Sequence, residues 1–243
     1  MTEKIKRIFI TGGPGSMWSG ADRLIRSGFA GQVDNSDITH SRNWIGHRGV
    51  YFNPGNEPGY DWILNFDKYD REEIIRMLDG TQSFRKSTDD NEAGVIRTYK
   101  SHNFCYFFDH IEKLFPEADI VAMIQIPYKA LYWWTVCGGH DHVHDPYDYY
   151  DRDLEKIWNE INTQTSLVDA WIEKHNLKKE YLNLDFFRNH FGEPSEFMLR
   201  EYENRTRSPD GLDHRCAAGS LCKNLSNTAM AVIKYGTPRQ FEK

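Results

Sequence analysis

The hydrophobic positions of this chain form brief apolar runs, separated by longer segments in which apolar residues recur every three or four positions. The brief runs predict strands at residues 5–11, 62–66, 95–100, 120–126 and 181–184. The segments with helical spacing predict helices at 17–27, 70–79, 104–114, 128–135, 151–174 and 193–203. The run at 229–235 fits either a final strand or a helical turn.

Strands that alternate with helices predict an α/β fold. We expect a three-layer, doubly wound, mostly parallel sheet with a P-loop-like first strand, turn and helix, and ligands beyond the carboxyl ends of the strands. Neither an internal repeat nor a low-complexity linker divides the sequence, so residues 1–243 are interpreted as one domain. Loop excursions are predicted near 30–60, 138–150 and 204–222.

Composition and charge narrow the class of protein. The 243 residues include 7 Trp, 13 Tyr and 14 Phe, which indicates a folded chain rather than a disordered one. A net charge of -6 argues against a nucleic-acid partner, because Lys and Arg that neutralise phosphates supply most of that affinity. The apolar run from Ile8 to Ile10 is too short for a signal peptide or a membrane span, so we expect a cytoplasmic protein without a membrane partner.

The cysteine spacing contains no metal or redox motif. Cys105, Cys137, Cys216 and Cys222 form no CxxC pair and lack the spacing of a structural zinc site. We therefore expect reduced thiols, most of them buried.

A glycine-rich turn follows the first predicted strand. Backbone N–H groups in such a turn, together with the dipole of the next helix, can bind phosphate without charged side chains. The Walker pattern would begin at Gly12, but Met17 and Trp18 stand where its second Gly and its Lys belong, and only Ser19 fits. The segment is either a phosphate loop of another kind or a plain turn, and an ordinary NTPase is disfavoured because its Lys is missing.

The segment GPGSMW resembles the P-K-S-G-T-T-W type loop of sulfotransferases that use 3′-phosphoadenosine 5′-phosphosulfate, with Gly15 to Trp18 over G-T-T-W. The resemblance implies that this loop wraps the 5′-phosphosulfate of the donor. On this alignment Gly13 replaces the loop Lys of the family. The loop residues implied to bind the donor are Gly13, Pro14, Gly15, Ser16, Met17, Trp18 and Ser19.

Residues 97–102, RTYKSH, resemble the K-T-H segment of cytosolic sulfotransferases. The resemblance implies that His102 is the catalytic base, which takes the proton of the acceptor as it attacks sulfur, and that Lys100 helps to neutralise charge. Imidazole suits such a proton transfer near neutral pH. Taken alone, His102 also fits a hydrogen-bonded histidine at a strand end.

Residues 116–134 resemble the strand and turn that hold the 3′-phosphate in the same family, with Gln125 and Trp133 where the family has its Arg and Ser anchors. The segment HNLKKEYLNLDFFRNHFGEPSEFM resembles the strand with the Y-E-D-L type motif and its following helix. The matches occur in the same order as in the family and together span residues 5 to about 200. Lys100, Lys129 and Arg97 are candidates for the missing positive charge. Arg205, Arg207 and Arg215 are further candidates, although a solvated loop is the simpler interpretation.

The tract HDHVHD carries His140, His142 and His144, which would share one face of a strand and suit a transition metal. Its flanking glycines and Pro146 favour a loop instead, so we interpret the tract as an acceptor-binding lid and predict no metal site. The aromatic residues between Tyr128 and Tyr150 suit stacking on a sugar or a ring.

The predicted helix 151–174 is interpreted as a packing element without a chemical role. Asp151 is the expected N-cap. Its apolar residues at three and four residue spacing are Leu154, Ile157, Trp158, Ile161, Leu167, Val168 and Trp171.

Three hypotheses for function follow. The first is a sulfotransferase-like enzyme that moves a sulfuryl group from 3′-phosphoadenosine 5′-phosphosulfate to a hydroxyl or amine of a small-molecule or glycan acceptor. The second is a nucleotide-dependent kinase of the same fold. The third is a non-catalytic member that binds a nucleotide or an anion, which the residues at positions 13, 125 and 133 would fit.

Overall fold

The computed structural model describes residues 5–16, 18, 21, 22, 25, 66–80, 95–136, 153–193, 196, 199 and 229–237. The loop excursions predicted near 30–60, 138–150 and 204–222 lie outside these residues. So does most of the strand predicted at 62–66, of which only Phe66 is described, in a 3-10 turn.

Strands and helices follow the predicted order along the described chain. The strands are β1 (Ile5–Gly12), β2 (Val95–Lys100), β3 (Asp119–Ile124), β4 (Glu180–Tyr181) and β5 (Met230–Lys234). The α-helices are α1 (Arg71–Gly80), α2 (Phe108–Leu114), α3 (Pro127–Val136), α4 (Leu154–His175) and α5 (Leu184–Phe191), with 3-10 turns at Phe66–Lys68 and His102–Phe107. Trp18, Ala21, Asp22, Ile25, Glu196 and Leu199 are also helical, as the predicted helices 17–27 and 193–203 require.

The strands form one mixed sheet in the order β2-β1-β3-β5-β4. β1 is parallel to both of its neighbours, whereas β5 is antiparallel to β3 and to β4. The α/β class and a partly parallel sheet are therefore confirmed, and the run at 229–235 is a strand. Apolar alternation predicts a buried strand but carries no information about its direction, so the reversal of β5 was not foreseen.

Apolar side chains pack on both faces of the sheet because neighbouring residues of a strand point to opposite sides. Ile8 and Ile10 of β1 belong to one cluster, with Ile25 and residues of α5. Phe9 belongs to the other cluster, with Phe104, and α2 and α4 pack there. The ring of Phe108 stacks on Trp171 at 4.3 Å between centroids, which ties α2 to α4. This packing places α4 beside the end of β2.

One strand ends and one helical segment begins at a residue other than the predicted one, because a polar side chain caps the helical turn that follows. The strand predicted at 181–184 stops at Tyr181, since Asn183 caps α5 by accepting a hydrogen bond from the Phe186 N–H at 2.9 Å. The helix predicted at 104–114 begins as a 3-10 turn at His102, capped by Ser101, whose Oγ accepts from the Asn103 N–H at 3.2 Å.

Helix α4 begins at Leu154, and its N-cap is Asp153, which accepts from the Glu155 N–H at 2.8 Å. The predicted cap Asp151 lies outside the described residues. Leu154 and Trp158 are 48% and 37% exposed, so they are not part of the buried stripe that their spacing predicted. The stripe contains a polar residue instead, Gln164, which is fully buried. Among the helices in the described ranges, none has the length and apolar character needed to cross a bilayer.

Candidate functional site

The glycine turn after β1 packs directly against α3. The Ser16 N–H donates to the Gly13 carbonyl at 2.9 Å, which closes the turn. Gly15 has a φ of 73°, and a Cβ there would lie 1.9 Å from the Ala130 carbonyl oxygen. Gly12 is equally restricted, since a Cβ would lie 2.3 Å from Ser16 Oγ. The path of the loop therefore depends on glycine at both positions.

The same loop forms one wall of a pocket of about 260 Å³, a volume that includes space open to solvent. None of the described lining residues is charged. They are Gly13, Pro14, Ser16, Met123, Ile124, Gln125, Ala130, Ile161, Thr165 and Val168.

Two polar side chains of this pocket come from the ends of β1 and β3. Ser16 is buried, and its hydroxyl has no hydrogen-bond partner among the described residues. Gln125 follows β3, and its Oε1 accepts from the Ile126 N–H at 3.0 Å. A buried hydroxyl without a partner is costly, and an oxygen of a bound anion would satisfy it.

Lys100 ends β2 and is fully buried. Its Nζ lies 3.2 Å from a carboxylate oxygen of Asp22, on the helix that follows the glycine turn, and 6.0 Å from the centroid of the Trp18 ring. The positive charge of Lys100 is thus matched by Asp22. The pair joins the end of β2 to the helix after the loop.

His102 begins the 3-10 turn directly after β2, and both its backbone and its ring are held in place. Its carbonyl accepts from Thr11 Oγ1 at 3.2 Å and from the Cys105 thiol at 3.0 Å. Its ring is buried, with its centroid 6.2 Å from that of Trp18. Burial lowers the pKa of His102 from 6.5 to about 4, although a hydrogen bond with Gln164 opposes this shift. The imidazole is therefore uncharged at neutral pH.

A hydrogen-bonded chain of polar side chains reaches His102 from α4. Gln164 Nε2 lies 3.0 Å from His102 Nδ1 and donates to Glu160 Oε1 at 2.5 Å. The Tyr106 hydroxyl donates to the same oxygen at 2.8 Å. Gln164 also faces the loop, because a Cβ on Gly13 would lie 3.6 Å from the Gln164 Cβ. Gln164 thus lies between the glycine loop and His102.

The thiol next to this chain is not activated. Burial, followed by the nearby charge of Glu160, raises the pKa of Cys105 well above its ordinary value, and the side chain is free of a disulfide. Cys105 therefore fits the expected buried, reduced thiol. Cys137, Cys216 and Cys222 lie outside the described residues.

The structure brings several of the predicted site residues together. Gly13, Pro14, Ser16 and Gln125 line one pocket, and Gly15 packs behind it. Trp18, Lys100 and His102 are buried near one another at the end of β2. Arg97 lies in β2 and Lys129 in α3, both half-buried. Outside the described residues lie Met17, Ser19, the side chain of Trp133, the three loop arginines and His140, His142 and His144.

No group of three or more His, Cys, Asp or Glu side chains is placed to hold a metal ion in the part of the chain that the structure describes. The HDHVHD tract stays a prediction.

Sequence reasoning missed Asp22, Glu160 and Gln164. One signal for Gln164 was present: it occupies the buried stripe of α4 that otherwise consists of Ile157, Ile161, Val168 and Trp171. A polar residue inside an apolar stripe needs a hydrogen-bond partner, and so indicates a buried polar contact. Asp22 gave no such signal, because its partner Lys100 is distant in sequence. Glu160 gave none either, because a glutamate on a helix is ordinarily exposed to solvent.

No family model, curated protein or solved structure matches this chain.

Proposed function

We propose that this chain is a sulfotransferase-like enzyme with a P-loop-like, doubly wound three-layer fold. It takes a sulfuryl group from 3′-phosphoadenosine 5′-phosphosulfate and transfers it to a hydroxyl or amine of a small-molecule or glycan acceptor. In this reaction the acceptor oxygen or nitrogen forms a bond to sulfur, the bond from sulfur to the phosphate oxygen breaks, and adenosine 3′,5′-bisphosphate leaves.

The observation that supports the proposal best is the buried Ser16 hydroxyl, without a partner among the described residues, in a pocket walled by the glycine loop. A sulfate or phosphate oxygen would accept its hydrogen bond. Gln125 borders the same pocket, at the position that the resemblance assigns to the 3′-phosphate. In-line transfer depends mainly on positioning and electrostatics, so backbone and hydroxyl donors can carry much of it.

His102 is proposed as the general base that receives the acceptor proton. Its ring is uncharged at neutral pH, because burial holds its pKa at about 4, and only an uncharged imidazole can accept a proton. The negative charge of a bound donor would raise this pKa toward the operating pH, which strengthens the base.

A second candidate is a non-catalytic member that binds a nucleotide or an anion. Two observations favour it: the described pocket residues are all uncharged, and Lys100 already pairs with Asp22. Such a site would hold an anion weakly and leave the developing charge on the phosphate leaving group without a cation.

A thermal-shift experiment separates the ligand classes. Adenosine 3′,5′-bisphosphate, ATP with magnesium, and buffer are compared, because a ligand that binds only the folded state raises the melting temperature. The proposal predicts a shift with adenosine 3′,5′-bisphosphate. A shift with magnesium ATP alone would instead indicate a kinase, and no shift with either nucleotide would overturn both.

His102→Ala then separates the enzyme from the binding protein. An enzyme that uses His102 as its base is expected to lose about 10²–10⁴-fold in turnover while it keeps donor binding. Turnover is measured as release of adenosine 3′,5′-bisphosphate with a panel of hydroxyl and amine acceptors. Donor binding without turnover in the unaltered chain would favour the non-catalytic candidate.

A further inference from the structure

The hydrogen bonds around His102 indicate which of its two ring nitrogens carries the proton, whereas its burial alone does not. Gln164 Nε2 contacts two atoms, Glu160 Oε1 at 2.5 Å and His102 Nδ1 at 3.0 Å. Tyr106 donates its hydroxyl to the same Glu160 oxygen at 2.8 Å. The four side chains therefore form one continuous chain from the surface of α4 to the imidazole.

Glu160 sets the direction of every hydrogen bond in this chain. Glu160 Oε1 accepts from both Tyr106 and Gln164, so Gln164 turns its NH₂ group, and not its carbonyl oxygen, toward Glu160. Gln164 lies one turn after Glu160 on α4, which holds the two side chains in register. The orientation of the Gln164 amide follows from this contact.

The amide then decides which nitrogen of His102 carries the proton. An NH₂ group has two N–H donors, and with one on Glu160 the other points to His102 Nδ1. Nδ1 must accept, so the proton of the uncharged ring resides on Nε2. The Gln164 Oε1 is buried and has no hydrogen-bond partner among the described residues. No described contact therefore favours the opposite orientation of the amide, in which Oε1 would face His102.

We propose that Glu160 and Gln164 are positioning residues that hold His102, in the ligand-free protein, as the tautomer with its proton on Nε2. This inference rests on the proposed function in one respect. If His102 takes the acceptor's proton at Nε2, it needs the opposite tautomer, with its own proton on Nδ1. His102 can accept through Nε2 only if the contact between Gln164 and Glu160 is broken, because a Gln164 oxygen turned toward Nδ1 would otherwise meet the Glu160 oxygen. The two residues of α4 thus set the form in which His102 enters the reaction.

The tautomer can be read directly by NMR of protein labelled with ¹⁵N-histidine, at pH 7 and without nucleotide. Long-range proton–nitrogen correlations distinguish a protonated ring nitrogen from an unprotonated one, and His102→Gln identifies the His102 signals. We expect a protonated Nε2 and an unprotonated Nδ1. A protonated Nδ1 in the unaltered chain would overturn the proposal.

Two variants test the role of α4. In Gln164→Met the NH₂ group that faces Nδ1 is removed, so a population with the proton on Nδ1 is expected to appear. In Glu160→Met the amide is released, and a population with the proton on Nδ1 is expected to appear. Glu173→Gln is the control, an exposed change on the same helix that should leave the His102 signals unchanged.

An unchanged Nδ1 signal in both Gln164→Met and Glu160→Met would refute the positioning role. If one variant fails to fold, the other variant and the unaltered chain still decide the question. The measurement uses neither donor nor acceptor, so a missing sulfuryl transfer would count against the proposed function and leave the tautomer assignment intact.

Discussion

Among single residues, His102 should make the stability of the protein depend on pH below neutrality, because burial lowers its pKa. Its pKa is about 4 in the folded protein and 6.5 when unfolded. As the pH falls from about 6.5 to about 4, the unfolded chain binds a proton that the folded chain refuses, so the free energy of unfolding falls. The full loss is about 3 kcal/mol, and it is complete below the folded pKa.

Urea unfolding of the unaltered chain and of His102→Gln, from pH 7 to pH 4, measures this contribution. Other histidines and carboxylates titrate in both proteins, so the difference between the two curves isolates position 102. His102→Gln should lose less stability over this range. Parallel curves would mean that the pKa of His102 is the same in the folded and unfolded states.

Gly13 and Gly15 lie two residues apart in the loop but differ in the space that a Cβ would find. Gly15→Ala is expected to destabilise the protein by about 1–3 kcal/mol, because its φ of 73° is strained for alanine and its Cβ would collide with the Ala130 carbonyl. Gly13→Ala is the matched control, since its Cβ would meet Gln164 at an ordinary 3.6 Å. Urea unfolding compares the two. Equal losses would contradict the packing of the loop on α3.

At the scale of elements, the ion pair between Lys100 and Asp22 joins β2 to the helix after the loop. Both side chains are buried, so Lys100→Met leaves a carboxylate in an apolar site and is expected to cost about 3–5 kcal/mol. Asp22→Leu should cost a similar amount. The double variant removes both charges and is expected to cost less than the sum of the two.

A double-mutant cycle from urea unfolding gives the coupling between the two residues. Costs that simply add would show that the two charges do not interact in the folded protein.

For the whole molecule, a net charge of -6 and a pocket whose described lining residues are all uncharged predict weak anion binding. Gly13→Lys places a cation at the position where the loop that this segment resembles carries its Lys, and the backbone has room for its Cβ. A charged hydrogen bond contributes about 1.5–3 kcal/mol, so adenosine 3′,5′-bisphosphate should bind roughly 10–100-fold more tightly. Gly13→Gln is the uncharged control.

Isothermal titration at low and at high salt compares the three proteins. Only the lysine variant should gain affinity, and the gain should shrink as salt increases. Equal affinities in the lysine and glutamine variants would place the anion away from position 13.

Local patterns predicted what depends on neighbours along the chain. The apolar runs located β1, β2 and β3 to within two residues, and the glycine turn after β1 was recognised from its composition alone. The cap Asn183 and the start of the 3-10 turn at His102 were missed, because single polar side chains decide them within an otherwise continuous pattern.

The sequence by itself determined the α/β class, the order of the described elements and the position of the glycine turn after β1. Only the tertiary structure decided the antiparallel direction of β5, the pairing of Lys100 with Asp22 and the contact of Gln164 with His102. The reason is physical. Hydrophobic periodicity records which residues are buried, whereas the two residues of each of the contacts Gln164–His102 and Lys100–Asp22 lie 62 or more residues apart along the chain and are brought together by packing.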